Sequence, residues 1–225
     1  MRLAKAKALL RVVPAPARPH LLQMMSQLFT RGQAIPMAAL MAILMAVPMM
    51  VPALLTAPPA QAEPLGEATD RIGGNVLFLR HALAPGFGDP DRFDVDDCTT
   101  QRNLNDAGRE QARAIGAYMA RHGITPDTIF SSQWCRCKDT ATEMAIGPFS
   151  THPGLNSFFN GHVDRDRTLA ALREHMARIG PDRLELMVTH QVVISAITGI
   201  SPRSGGMVVY NSRSGEAASV PLLVK

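Results

Sequence analysis

Apolar positions along this chain fall into short continuous runs separated by stretches with helical spacing. Residues 75–79 (NVLFL), 128–132 (TIFSS) and 184–189 (LELMVT) are compact and strand-like. The first of these does not alternate with polar residues, as expected for a strand covered on both faces. Between the first two runs, Ala112, Ile115 and Met119 recur at helical spacing, with Asn105 placed as an N-cap and Gly123 as a stop. Further helices are predicted over roughly 134–145, over 165–179 and, briefly, over 192–197. Gly147-Pro148 and Gly180-Pro181 end the first two of these. Residues 151–159 read as irregular or as a short strand. Residues 207–210 and 218–224 read as two strands joined by a turn at 211–215. Strands alternating with helices predict an α/β fold, a three-layer α/β/α sandwich around a mostly parallel central sheet. Residues 84–103 form a loop long enough to be functional or mobile.

The amino-terminal third follows a different pattern. Residues 1–62 carry six Lys/Arg (Arg2, Lys5, Lys7, Arg11, Arg18, Arg31) and no acid. An apolar run over 37–55 is interrupted by Pro48 and Pro52, and Ala60-Gln61-Ala62 matches a small-x-small cleavage pattern. This leader is read as an export signal, with a retained membrane anchor as the alternative, because the run is about as long as a span of roughly 17–25 residues. Residues 63–74 are expected to be a flexible connecting segment, and 75–225 the folded domain. The expected location is periplasmic or secreted.

The leader changes the meaning of the charge. The whole chain is +4. The 163 residues after the leader hold 17 Lys/Arg against 19 Asp/Glu, a net −2. Without a basic stripe, nucleic-acid binding is excluded as an expectation. Export also places the three cysteines, Cys98, Cys135 and Cys137, where thiols tend to pair. A Cys-x-Cys spacing rarely closes on itself, so Cys98 is expected to bridge to either Cys135 or Cys137. No second pair at ligand spacing exists, so no metal site is expected.

The candidate chemistry sits where the strand runs stop. The first ends at Arg80-His81, the second leads to Arg136, and the third ends at His190. Ligands of parallel α/β sheets bind beyond the carboxyl ends of the strands. Two arginines and two histidines meeting there suit a phosphate dianion.

Four segments carry a resemblance: LRHA at 79–82, LNDAGREQA at 104–112, SSQWCRCKDTA at 131–141 and VTH at 188–190. In this order they resemble the histidine phosphatase superfamily, with its phosphoglycerate mutase-like fold. The resemblance implies that His81 attacks phosphorus and forms a phosphohistidine. It implies that Arg80 and Arg136 clamp the phosphate oxygens and offset transition-state charge, and that His190, charged when phosphate is bound, donates a further hydrogen bond. No cofactor is implied.

The chain departs from the family in its general acid. Ser157 stands where many members carry a glutamate, and Gln191 where another branch carries an aspartate after the second histidine. Asp89, Asp91 and Asp164 are the replacement candidates. A good leaving group would need less protonation, which favours a phosphatase over a mutase. The expected function is hydrolysis of a small phosphomonoester or a cell-envelope phosphate, with a non-catalytic phosphate-binding module as the alternative.

Overall fold

The computed structural model describes residues 64–180 and 182–222. The expected export signal and the apolar run of the leader lie outside the described residues.

Six strands form one sheet: β1 (Val76–Arg80), β2 (Thr128–Ser131), β3 (Ser150–Thr151), β4 (Glu185–Thr189), β5 (Met207–Tyr210) and β6 (Ala217–Val220). Their order is β3-β2-β4-β1-β5-β6. The first four in that row run parallel, and β5 and β6 are antiparallel neighbours closing one side. The sheet is flanked by the helices α1 (Leu65–Ile72), α2 (Asp106–Arg121), α3 (Cys135–Met144), α4 (Arg165–Met176) and α5 (Gln191–Thr198).

The continuous apolar character of β1 has the expected cause. Leu77 and Leu79 join Leu186, Val188, Met207 and Val209 in a core completed by residues of α1, α2 and α3. Val76 and Phe78 face the other way, into a second core with Met187, Val208 and residues of α4 and α5. Both faces are covered, and Val76 to Phe78 are fully buried. Each such side chain contributes about 1.5–3 kcal/mol. The architecture is the three-layer α/β/α sandwich, mostly parallel, that the sequence pattern predicts.

The segment before β1 corrects the sequence reading. Much of 63–74 is the helix α1 rather than a flexible connection. Leu65, Ala68 and Ile72 lie three and four residues apart and are buried, joining the core on the α1–α3 face. Polar residues occupy the outer face, so a mainly polar composition hides a well-aligned apolar stripe.

One motif glycine has a packing reason. A Cβ on Gly108 would stand 2.0 Å from the Leu83 carbonyl oxygen. Its absence lets α2 approach the chain just after His81. Gln111, one turn along, accepts from Leu83 N–H at 2.9 Å and donates to the Ser204 carbonyl at 3.0 Å. The 104–112 segment therefore holds the walls around β1's end in place.

Candidate active site

Three adjacent parallel strands, β2, β4 and β1, deliver their carboxyl ends to one place. Arg80 pairs with Thr189 in register, so His81 and His190 follow side by side. Their ring centroids are 5.4 Å apart. His190 is the N-cap residue of α5, and Arg136 lies in the first turn of α3, four residues beyond the Ser132 that follows β2. All four residues expected from the sequence line one pocket, with Arg102, Ser157, Gln191, Phe87 and Phe159.

The hydrogen bonds fix the state of each ring. His81 Nδ1 lies 2.8 Å from the Ala82 carbonyl oxygen, which can only accept. The proton therefore sits on Nδ1 and leaves a lone pair on Nε2. That lone pair accepts from Arg136 Nε–H at 3.2 Å. Burial first, and then the charge of Arg136, hold His81 well below the usual histidine range, which keeps its imidazole neutral.

His190 has the opposite tautomer. Its Nδ1 accepts from Arg136 Nη2 at 3.4 Å, and its Nε2 lies 2.9 Å from Ser132 Oγ. Ser132 gives its own proton to Asn156, so His190 Nε2 is the donor. Burial, followed by Arg136 and His81, pushes His190 well below its ordinary value. As it stands His190 is neutral, and it becomes a donor to a bound phosphate at Nδ1 only by taking up a proton.

Both histidines oppose acid. Unfolded histidines titrate near pH 6.5, and the folded values lie lower. Stability is therefore full above about pH 6.5 and is lost as pH falls through that value toward the folded pKa values. The expected slope is up to about 1.4 kcal/mol per pH unit for each histidine. Melting temperatures from pH 7.5 to 5 at constant ionic strength check this, and His190→Gln is expected to flatten the curve.

The three acid candidates have different fates. Asp89 enters the site but has no proton to give. Its Oδ1 accepts from Arg136 Nη1 at 2.7 Å and from Arg102 N–H at 3.1 Å. Its Oδ2 accepts from Arg136 Nη2 at 3.1 Å and from the Trp134 indole at 3.0 Å. Burial alone would raise its pKa, but the Arg136 bonds and charge outweigh that and hold it below the usual carboxylate range. Asp91 is exposed and does not line the pocket. Asp164 caps α4 through Arg167 N–H at 2.7 Å and borders a different cavity. Among the described residues no aspartate or glutamate lines the pocket, while Ser157 and Gln191 do.

Arg102 escaped the sequence reading. It brings a third guanidinium to the pocket, donating to the Gly88 carbonyl at 2.9 Å and also to the Ala84 carbonyl. The available signal was its position just ahead of the 104–112 segment. Arg80 is held by the Pro202 carbonyl through Nη1 at 3.0 Å, while its buried Nε lacks a partner among the described residues. Such a donor is costly to leave unmet, and an oxyanion would satisfy it.

Of the two pairings left open, the structure has Cys98 bonded to Cys135. The bond ties the loop bearing Asp89 and Arg102 to the residue beside Arg136. Closing a segment of this length, with its ends 37 residues apart, is worth about 4 kcal/mol in the chain-entropy account. Cys137 is buried, 3.5 Å from His190 Nε2, and burial pushes its thiol up to about 12. Denatured, unreduced protein is therefore expected to show one free thiol, and three would contradict the pairing.

The family model for the histidine phosphatase superfamily (branch 1) matches residues 76–178. No curated protein matches the chain. Among solved structures, it is similar to the protein histidine phosphatase SixA complexed with tungstate, at 16% identity over 64% of this chain and 92% of that one, with a TM-score of 0.44. A mycobacterial glucosyl-3-phosphoglycerate phosphatase complexed with VO3 shares 15% identity over 67% and 98% of the two chains, with a TM-score of 0.48. The product of an open reading frame, Rv3214, of Mycobacterium tuberculosis shares 16% identity over 67% and 97%, with a TM-score of 0.45. The matched region runs from β1 into the chain after α4, carrying Arg80, His81 and Arg136, and over these residues the chain is similar to the histidine phosphatase superfamily.

Proposed function

We propose that this protein is a phosphatase that hydrolyses a phosphomonoester or related phosphate through a phosphohistidine on His81, without a metal. One observation carries the reading. His81 is held with its proton on Nδ1 and its Nε2 lone pair beside the Arg136 guanidinium. In the first step Nε2 bonds to phosphorus, the bond from phosphorus to the leaving oxygen breaks, and that oxygen takes its proton from water. In the second, water attacks phosphorus, the N–P bond breaks, and inorganic phosphate and a proton are released. Arg80, Arg102 and Arg136 offset the charge on the phosphoryl oxygens in both steps, and a protonated His190 adds a donor.

The pocket lining supports a restriction on substrate. With no carboxyl group among the described lining residues to protonate the leaving oxygen, turnover favours leaving groups that depart as stable anions. The same feature supports a second reading, a phosphate-binding module without turnover. Location outside the cytoplasm is part of the proposal, supported by the leader's composition and by a disulfide suited to oxidising surroundings.

Phosphate release by the full chain from alkyl, aryl and acyl phosphates, measured in EDTA, separates the readings. EDTA-resistant release supports the phosphatase. A phosphate-induced rise in melting temperature without release from any substrate supports the binding module.

A further inference from the structure

The pocket has two halves of different chemistry. Its cationic half holds Arg80, Arg102, Arg136 and the two histidines, and its apolar half is Phe87, Phe159 and Val192. Phe87 is 88% exposed, more than any other large apolar side chain among the described residues. With Phe159 and Val192 it forms an apolar patch bordered by polar side chains, the kind of surface that marks a ligand groove.

Phe87 is also held in place. Gly86 and Gly88 have φ of +93° and +69°, in the left-handed region that favours glycine. They turn the chain on either side of Phe87. Arg102 bonds the carbonyls of Ala84 and Gly88, bracketing the same tip from a side chain that lines the pocket. The Phe87 ring meets Phe159, from the stretch after β3, edge to face, with centroids 5.0 Å apart and planes at 85°. Two loops distant in sequence thus join through an aromatic pair on the wall of the phosphate pocket. Among the described residues, the other polar side chains lining it are Ser157 and Gln191, both neutral.

We infer that the substrates of this site are aryl phosphates, monoesters of a planar, apolar alcohol whose ring packs on Phe87 and Phe159 while the phosphate sits among the arginines. The inference rests on the phosphatase reading. It agrees independently with the missing acid, because a phenolate leaves with less protonation than an alkoxide. Rings in this arrangement gain from edge-to-face or offset contacts beyond simple burial.

Phenol is a better leaving group than a sugar in any site, so the test must remove that advantage. The quantity to measure is the ratio of kcat/KM for phenyl phosphate to that for acetyl phosphate. It is taken in the full chain and in Phe87→Ser and Phe159→Ser. The ratio is expected to fall about tenfold in each variant, chiefly through a higher KM for phenyl phosphate. A phosphate-induced rise in melting temperature in each variant verifies that the site is folded, and the exposure of Phe87 makes its substitution mild. A ratio that stays within twofold of the parent in both folded variants would overturn the inference. So would a parent that releases phosphate from acetyl phosphate and not from phenyl phosphate, although that result leaves the phosphatase reading standing. Release from neither substrate removes both.

Discussion

Replacing His81 with alanine is expected to lower kcat for phosphate release by about 10³-fold or more, as removal of a covalent nucleophile does. The same change should abolish the acid-labile, alkali-stable phosphoryl group that a phosphohistidine leaves on denatured enzyme quenched during turnover. The two readouts together are specific. Loss of an arginine would weaken turnover and phosphate binding together, whereas loss of the nucleophile removes the covalent species while leaving three guanidinium groups to bind phosphate. His81 is 2% exposed, so the alanine leaves a small cavity. Partial restoration by free imidazole would then report the missing lone pair rather than a disturbed fold. Turnover by His81→Ala within tenfold of the parent would end the covalent mechanism.

The second large effect is expected at Asp89, which touches Arg136 rather than substrate and acts as a positioning residue. The side chains of Arg136 and Asp89 are 3% and 4% exposed. Breaking a buried pair by deleting one partner strands the other charge, at a cost of about 3–5 kcal/mol. Asp89→Ala should therefore lower the melting temperature markedly. It should also lower kcat, because the guanidinium that faces His81 Nε2 and His190 Nδ1 is anchored on its far side by this carboxylate. Asp89→Asn preserves the shape and some of the hydrogen bonds, and is expected to be the milder change on both readouts. A structural role alone would leave the pH profile unmoved. Without the carboxylate, more of the Arg136 charge falls on the histidines, and the acid limb of activity should move to lower pH. An Asp89→Ala protein as stable as its parent would show that the pair contributes nothing net.

What the linear sequence determined are the features whose signal is local. Residues 75–79 spell a strand buried on both faces, because no polar side chain interrupts them and both layers of helices need apolar contact. The arginines and histidines were legible for a related reason. In a parallel sheet the carboxyl end of a strand is the edge where ligands sit, so a residue's place after an apolar run already gives its place in space. Gly108, Gln111 and Thr140 were visible as parts of motifs. Their tasks, a close approach to Leu83, a tie to Ser204 and an acceptor for Ala82 N–H, were not.

Only the tertiary structure decided the rest. The helix α1 was hidden because three buried positions among polar residues make a weak pattern until a sheet face exists to cover them. Asp89 read as a possible acid and proved to be the anchor of Arg136, because its role depends on a partner 47 residues away. Arg102 and Phe87 lie in a loop with no periodicity, where backbone turns and a disulfide set the path. The choice of Cys135 over Cys137 turned on which side of α3 faces that loop and which faces His190. Local patterns state which residues are buried or end a strand, but the meeting of two loops depends on distances that no local pattern encodes.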